Sequence, residues 1–243
     1  MEDYKQPLIT VVTVVYNDVK HIEDTILSVV NQTYPNIEYI IIDGGSTDGT
    51  VDIIKKYADR IAYWVSEPDK GIYDAMNKGL KKATGEWVNF MNSGDCFASL
   101  GVIRKLFMES ISSDVFCIYG DINYLKNGRS TYVSALPPCR INHRMPCSHQ
   151  ALFIKNMNNI AFNLKYHVAS EYDVIYRLYV KYGEDAFFYK SIPVCNFDGN
   201  DGISSRYPVK AFEECLKIRA NNKDLYWYLD YIKLRIKRVL RMK

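Results

Sequence analysis

Over its first hundred residues the chain alternates apolar segments with segments of helical periodicity, and this alternation constrains the fold most. Four continuously apolar segments, rich in β-branched residues, span 9–15, 37–42, 61–65 and 86–91. Such segments are typical of strands that are buried on both faces. Because single helices separate them, the pattern predicts a mostly parallel, Rossmann-like sheet flanked by helices, which is an α/β fold.

Acidic side chains follow three of these four segments. Asp43 comes after the second, Glu67 after the third and Asp95 after the fourth. In open α/β sheets, ligands bind outside the carboxyl ends of the strands. An acid there can accept hydrogen bonds from a base or ribose, or can ligate Mg²⁺ or Mn²⁺, which favour oxygen ligands. The alternatives are structural, since Asp95 could cap a helix and Asp43 could brace a turn rich in glycine.

Several classes of binding site are not indicated. The turn at 43–46 is not G-x-G-x-x-G, and the chain contains no G-x-x-x-x-G-K-[ST]. A net charge of +3 is too small to indicate nucleic-acid binding, so no nucleic-acid partner is expected. The six cysteines show no C-x-x-C spacing, which favours reduced thiols over disulfides or zinc ligands.

The second half of the chain is less regular. Its patterns predict a strand at 115–121, a hairpin at Asn127–Gly128, a helix from Ser170 and strand-like stretches near Phe187 and Val194. Two further helices, at about 209–221 and from Leu225 onward, complete the chain. No composition shift marks a linker.

Four stretches, in this order, resemble glycosyltransferase family 2, the large inverting family with the GT-A fold. They read VVTVVYND from residue 11, IIDGGSTDGT from 41, EPDKGIYDAMNKGLKKATGEWVNFMNSGD from 67 and SEYDVIYRL from 170. The likeness covers most of residues 8–180 and is strongest through Asp95. Within the family, the chain is similar to bacterial enzymes that build cell-surface polysaccharides.

The resemblance implies a domain organisation. A GT-A catalytic domain would span 1–207, with a nucleotide-sugar-binding half at 1–98 and a mixed, acceptor-side half at 99–207. Residues 208–243 would form a C-terminal helical extension. The loop at 198–206, which contains two glycines, could close over the donor or be a plain surface loop.

The resemblance also implies roles for individual residues. Nucleotide-sugar binding would involve Thr13, Tyr16, Asn17, Asp43, Lys70, Asp74, Asn77, Asn92 and Ser93. Asp95 would ligate the metal, Mn or Mg. Glu171 would be the general base and Asp173 the alternative, although both acids could simply favour a helix start. His149, with Gln150 beside it, could line the site or be an ordinary loop residue.

Two departures from the family pattern bear on the chemistry. The family often has D-A-D-D or D-S-D-D where this chain has Asn92-Ser93-Gly94-Asp95. Asn92 brings no charge to a metal and Gly94 no second carboxylate, so a metal would be shared between Asp95 and the diphosphate of the donor. The base position carries Glu rather than the commoner Asp, which extends its reach by one methylene.

The implied activity is inverting transfer of a sugar from a nucleotide-sugar donor, most simply UDP-linked, to an acceptor hydroxyl. The setting would be bacterial surface polysaccharide (O-antigen or capsule) biosynthesis, with a saccharide acceptor that is free or lipid-linked. Two alternatives are a non-catalytic nucleotide-sugar-binding protein and a sugar-nucleotide pyrophosphorylase. The second would require an N-terminal Gly-rich phosphate loop, which the sequence does not indicate.

The C-terminal helix is basic and amphipathic. Residues 233–243 contain six Lys or Arg and no acid. Such a helix can lie on an anionic membrane surface, pack on its own domain or form a homodimer. Nothing indicates a secretory signal, and no run of about 18 apolar residues predicts a membrane span. The expected location is cytoplasmic, with peripheral contact to the inner face of the cell membrane as an option.

Overall fold

The computed structural model describes residues 6–157, 160–199, 206–221 and 223–241, with side chains as far as residue 236. The strands in these ranges are β1 (Ile9–Val15), β2 (Ile37–Asp43), β3 (Tyr63–Ser66), β4 (Trp87–Phe90), β5 (Cys96–Phe97), β6 (Cys117–Lys126), β7 (Arg129–Val133), β8 (Leu152–Lys155) and β9 (Phe187–Asp198). The α-helices are α1 (Ile22–Val30), α2 (Thr50–Lys56), α3 (Ile72–Lys82), α4 (Val102–Leu106), α5 (Ser170–Tyr182), α6 (Pro208–Ile218) and α7 (Leu225–Arg241).

All nine of these strands belong to one sheet. Their order is β3-β2-β1-β4-β8-β6-β9-β5, and β7 pairs with β6. The first four neighbours in this order are parallel, which confirms the Rossmann-like half. From β8 onward the sheet is mixed, because β8 is antiparallel to β4 and β6, while β9 is parallel to β6. The predicted α/β fold is therefore confirmed.

The core lies on both faces of the sheet, as the uninterrupted apolar strands predict. All seven residues of β1 are buried. Val11 and Val15 pack with α1, α2 and α4 on one face, while Val12 and Val14 pack with α3 and α5 on the other. Each such side chain contributes roughly 1.5–3 kcal/mol through burial. Strand ends that are fixed in this way can hold polar groups in defined positions.

The two strand-like stretches near Phe187 and Val194 are one long strand, β9. The register between β6 and β9 shifts at Gly120–Ile122, and Pro193 lies opposite Asp121 at the irregularity. Proline lacks the N–H that a regular ladder needs, so it is tolerated at such a bulge. The loop predicted at 198–206 lies largely outside the described residues.

The first C-terminal helix, α6, packs against α5, and α7 packs on α6. Cys215 and Ile218 of α6 contact the core cluster that contains Tyr172. Just beyond α6, Arg219 is buried, donates to the carbonyl of Asn142 and forms a 3.0 Å ion pair with Asp230 of α7. None of the helices within the described ranges is long and apolar enough to span a bilayer.

Candidate active site

Asp43 is fully buried at the end of β2 and organises the turn that follows. Its Oδ2 accepts hydrogen bonds from the backbone N–H groups of Gly45 and Ser46, at 3.1 and 2.9 Å, and from Ser66 Oγ at 2.5 Å. Its Oδ1 accepts from Ser46 Oγ at 2.5 Å. The bracing role considered for Asp43 is thus realised, and contact with a nucleotide base stays a prediction.

The end of β1 presents two exposed side chains among its predicted donor contacts. Thr13 is buried, and its hydroxyl donates to the carbonyl of Met91 at 2.8 Å. Asn17, at φ +49°, accepts a 2.9 Å hydrogen bond from the backbone of Thr47 and so supports the turn after β2. Tyr16 is 65% exposed. Of these three residues, Tyr16 and Asn17 are exposed, and the donor contacts of all three stay predictions.

Gly44, which directly follows β2, lies close to side chains from two neighbouring loops at the carboxyl ends of the strands. A Cβ atom at this position would lie 2.6 Å from Asp69 Oδ2 and 3.3 Å from the ring of Tyr16. Any side chain at residue 44 would therefore displace Asp69 or Tyr16. Asp69, which lies in the EPDKG stretch, joins the predicted donor edge although it was not among the predicted contacts.

Asp95 lies in the turn between β4 and β5 and is 6% exposed. Its Oδ2 accepts from Gln150 Nε2 at 2.5 Å, and its Oδ1 accepts from the backbone N–H of Asp198 at 2.9 Å. Burial raises the pKa of this carboxyl to about 7, against the opposite effect of those two hydrogen bonds. A nearby cation would offset the cost of the buried charge.

The oxygen atoms of the turn at 92–95 suit a hard cation that is coordinated partly by the protein and partly by phosphate. Among the described residues, no three His, Cys, Asp or Glu side chains are grouped closely enough to hold a metal. Asn92 Oδ1 is buried and has no hydrogen-bond partner within the described structure. Asp95 and Asn92 can thus supply oxygen ligands, while phosphate and water would complete the coordination.

The turn at 92–95 is held in place by hydrogen bonds to α1 and to the segment before it. Ser93 Oγ donates to Asp18 Oδ2 at 2.6 Å. Thr25 Oγ1 donates to the carbonyl of Asp95 at 2.8 Å and accepts from the N–H of Gly94 at 3.1 Å. Ser93 is therefore engaged with Asp18, and its predicted contact with the donor stays a prediction.

Glu171 lies at the start of α5 and is contacted from two sides. Tyr73 of α3 donates its hydroxyl to Glu171 Oε2, and His149 Nδ1 lies 3.4 Å from Glu171 Oε1. On its other side, His149 Nε2 is 3.0 Å from Asn92 Nδ2. Burial lowers the pKa of His149, opposed by the charge of Glu171, so the ring is neutral near pH 7.

Asp173 is held differently. It is buried, and its Oδ2 accepts a 3.0 Å hydrogen bond from Arg177 Nε one helical turn later. This ion pair engages the carboxylate that was the alternative base. Glu171, which faces His149 and Tyr73, is the better placed of the two to accept a proton.

The predicted donor residues on α3 have structural partners. Lys70 is exposed, and its backbone N–H donates to Asp74 Oδ2 at 3.0 Å. The side-chain amide of Asn77 donates to the carbonyl of Phe162 and accepts from its N–H, both at 2.8 Å. Asp74 thus supports the start of the helix and Asn77 fixes the 162 segment, and their donor roles stay predictions.

The contacts that assemble the site come from residues with weak sequence signals. Gln150 and the N–H of Asp198 hold Asp95, and Tyr73 holds Glu171. The adjacent pair His149-Gln150 was the one available signal, since both residues are polar and lie next to a short apolar strand. Tyr73 is one of twenty tyrosines, and its sequence position gave no indication of this contact.

Comparison with protein families and curated relatives agrees with the likeness in the sequence motifs. A family described as Glycosyl transferase family 2 matches residues 10–180. A Mycobacterium tuberculosis protein named as an uncharacterized glycosyltransferase is 42% identical over 107 residues, which cover 44% of this chain and 40% of the relative. A Mycobacterium bovis PGL/p-HBAD biosynthesis glycosyltransferase is 30% identical over 155 residues, covering 60% of this chain and 59% of the relative. The chain thus matches about half the length of these relatives.

Solved structures share the fold. Residues 1–349 of S. aureus TarS in complex with UDP align with a TM-score of 0.70 and 20% identity, over 92% of this chain and 68% of that one. The mannosyltransferase PcManGT of Pyrobaculum calidifontis, in complex with GDP-Man and Mn²⁺, aligns with a TM-score of 0.69 and 17% identity, over 89% and 64%. At such identities the alignments establish a common architecture.

Proposed function

Because the chain belongs to glycosyltransferase family 2, we propose that it transfers a sugar from a nucleotide-sugar donor to an acceptor hydroxyl with inversion. One observation carries the proposal. Two consecutive residues, His149 and Gln150, contact Glu171 and Asp95 respectively, at 3.4 and 2.5 Å. The two carboxylates that the reaction needs therefore belong to one site.

In the proposed reaction, Glu171 accepts the proton of the acceptor hydroxyl as that oxygen forms a bond to the anomeric carbon. The bond from this carbon to the phosphate oxygen breaks, and the nucleoside diphosphate leaves. Tyr73 and His149 hold the carboxylate of Glu171 in a fixed direction, which favours general-base catalysis. Asp173 is paired with Arg177 and takes no proton.

The donor would lie along the ends of β1, β2 and β4, and a UDP-sugar is the proposed donor. Tyr16, Gly44 and Asp69 would contact the nucleotide. The UDP complex of TarS supports this choice through its shared fold. A divalent cation, Mn²⁺ or Mg²⁺, would be held by Asp95 with Asn92 and would stabilise negative charge on the leaving diphosphate.

The proposed acceptor is a saccharide of a bacterial surface polysaccharide or glycolipid, such as O-antigen or capsule, and is carried on a lipid. The resemblance of the sequence motifs to bacterial enzymes that build cell-surface polysaccharides supports this class. The surface of α7 supports it as well. Leu225, Leu229, Ile232 and Ile236 are exposed at helical spacing, while Leu234 is buried toward the domain. We place the enzyme in the cytoplasm, peripheral to the inner face of the cell membrane.

The decisive experiment is a screen of sugar nucleotides with Mn²⁺ or Mg²⁺ that follows the release of nucleoside diphosphate and transfer to an acceptor. Glu171→Gln is expected to lower kcat by about 100-fold or more with UDP binding retained, because the amide cannot take a proton. Asp95→Asn is expected to weaken UDP binding in the presence of metal. EDTA, which should weaken UDP binding by the unmodified protein, is expected to have no further effect on this variant.

The matched control is Asp173→Asn, which removes a neighbouring acid of the same helix. It is expected to leave the chemical step intact. Full activity of Glu171→Gln together with an inactive Asp173→Asn would exchange the two roles. A protein that binds UDP but consumes no donor would be a binding module, and release of pyrophosphate from a nucleoside triphosphate would indicate a pyrophosphorylase.

A further inference from the structure

Glu214 of α6 reaches the backbone in front of α5 with its carboxylate. Its Oε2 accepts hydrogen bonds from the N–H groups of His167, Val168 and Ala169, at 3.0, 2.8 and 3.0 Å. Its Oε1 also lies 3.0 Å from the nitrogen of His167. The side chain is 4% exposed. A buried carboxylate with three backbone donors is a specific and directional contact.

This contact holds the residues that lead into α5, rather than the first turn of the helix itself. The residue in the N-cap position of α5 is Ala169, and no side-chain cap hydrogen bond is formed there. The first N–H groups of a helix lack internal partners, and the helix dipole favours a negative charge beside them. Glu214 reaches only the N-cap residue Ala169 and the two residues before it, but it brings a negative charge close to the helix start. It does so from a helix that begins 38 residues after Ser170.

Glu171 is the second residue of α5, directly after the segment that Glu214 holds. Its carboxylate is oriented at its tip by Tyr73 and His149, but its Cα position is set by the start of the helix. Both Glu171 and Glu214 raise the pKa of the Tyr73 phenol, after the larger effect of burial. The two carboxylates thus act on the same buried group, at the same end of α5.

The helix that carries Glu214 is itself fixed on its other side. Leu216 is buried, and its carbonyl accepts a 2.9 Å hydrogen bond from Trp227 Nε1 of α7. Arg219, beyond the end of α6, donates to the carbonyl of Asn142. The α6–α7 pair therefore provides a rigid support for the carboxylate of Glu214.

We propose that Glu214 is a positioning residue for Glu171, so that the C-terminal helices form part of the catalytic apparatus. This inference rests on the proposed function, because it assigns Glu214 a role through the proposed base. A displacement of about 1 Å at a catalytic group can lower a rate by about 100-fold. Loss of the three backbone contacts is expected to cause a shift of this kind, without altering the donor edge at β1, β2 and β4.

The test is a comparison of Glu214→Gln and Glu214→Asp with two control variants of α6. Lys217→Ala changes an exposed side chain, and Leu216→Ala truncates a buried one while keeping the backbone carbonyl that accepts from Trp227. Glu214→Gln is expected to lower kcat by about 30- to 100-fold with an unchanged KM for the donor. Glu214→Asp keeps the charge and should recover part of kcat.

A second readout does not depend on turnover. Hydrogen exchange of the amides of 167–169 is expected to accelerate in Glu214→Gln and to stay unchanged in Lys217→Ala. Leu216→Ala should lower the melting temperature while kcat stays within about threefold of the unmodified protein. If Glu214→Gln does not fold, the test uses Glu214→Asp instead. Its kcat is then compared with that of Leu216→Ala under conditions in which both variants have lost the same amount of melting temperature.

The possible failures are distinguishable. If the unmodified protein transfers no sugar from any donor, the proposed function fails and the inference fails with it. A second outcome is that the unmodified protein is active and Glu214→Gln keeps its kcat while its 167–169 amides exchange faster. Glu214 then only stabilises the backbone of 167–169, and the inference alone is overturned. Equal loss of kcat in Leu216→Ala at equal stability would overturn it as well.

Discussion

Among single residues, His149 has the surroundings that define its chemical state most closely. Asn92 Nδ2 lies 3.0 Å from its Nε2 and, as a donor, leaves the proton of the neutral ring on Nδ1. Nδ1 faces Glu171 at 3.4 Å. The ring therefore contacts both the turn after β4 and the start of α5, and it helps to fix the distance between them.

Replacing His149 by Phe is expected to lower kcat by about 10- to 100-fold. The variant keeps the volume of the ring, but it leaves the Asn92 amide unpaired, at a cost of about 1–3 kcal/mol, and removes one of the two contacts that orient Glu171. Steady-state kinetics at saturating donor will measure the effect. Tyr73→Phe, which removes the other contact, is the matched comparison, and an unchanged kcat in both variants would contradict the orienting role.

The residues of the site could be predicted from sequence in part. Asp95 and Glu171 stand in ordered motifs, and in the structure they contact the adjacent residues Gln150 and His149. Their partners could not be predicted, because Gln150 and Asp198 reach Asp95 across 55 and 103 residues, a separation over which local patterns carry no information. Thr13 also stands in a motif, but it is buried and its hydroxyl is hydrogen-bonded to Tyr39 and to the carbonyl of Met91, so its donor contact stays a prediction.

At the scale of secondary-structure elements, Glu38 joins three parts of the parallel half. Its carboxylate, on β2, accepts from Thr10 Oγ1 of β1 at 2.6 Å. It also accepts from the backbone N–H and the hydroxyl of Thr84, after α3, at 2.8 and 2.7 Å. Burial by itself would raise the pKa of Glu38, but these hydrogen bonds together lower it from 4.5.

Glu38→Gln is expected to destabilise the protein in a pH-dependent manner. A lowered pKa in the folded state means that the ionised side chain stabilises the fold above the ordinary glutamate pKa of 4.5. This contribution is lost as the pH falls through the lower, folded-state pKa. Urea unfolding at about pH 7 and about pH 4 should show a larger difference between variant and unmodified protein at the first pH than at the second.

Glu86→Gln is the control for Glu38, because Glu86 is an exposed glutamate in the connection between α3 and β4, which also contains Thr84. It should leave the urea midpoint unchanged at both pH values. If the two variants have the same midpoints at neutral pH, Glu38 does not stabilise the joining of β1, β2 and the end of α3.

Elements with a strong period were predictable, and elements defined by distant pairing were not. The segments that became β1 to β4 were predicted to within two residues, since they are apolar on both faces. β5 has two residues and exists because Cys96 and Phe97 pair with β9. β9 was predicted as two pieces because Pro193 and the register shift interrupt its pattern.

At the scale of the whole molecule, the face of α7 opposite Leu234 is apolar and exposed. The sequence from 233 onward is basic without any acid. Two copies of this helix would bring like charges together, whereas an anionic bilayer would complement them. The periodicity predicted the amphipathic helix, but only the packing of α7 on α6, with Leu234 buried, shows which face is left to solvent.

The unmodified protein is expected to co-sediment with vesicles rich in phosphatidylglycerol, less with phosphatidylcholine vesicles, and to be released by salt, because the surface charge is screened. The double variant Ile232→Asp/Ile236→Asp should lose this binding and keep its activity on a soluble acceptor. Val180→Asp, at an exposed apolar position of α5, is the matched control. Failure of the unmodified protein to bind would contradict membrane contact, and a dimer abolished by the double variant would assign the face to a second copy.

The position of β9 in the sheet has a consequence for how the protein is made. A ribosome delivers the chain from its N-terminus, and domains generally begin to fold in that order. The Asp95 turn emerges early, but its partner N–H belongs to Asp198, and its neighbour β5 pairs with β9. The carboxylate therefore obtains its last hydrogen bond only after residue 198 of 243 has been synthesised. A nascent chain that is stalled before this point holds the donor motifs but lacks the hydrogen bond from Asp198 to Asp95 and the strand that pairs with β5.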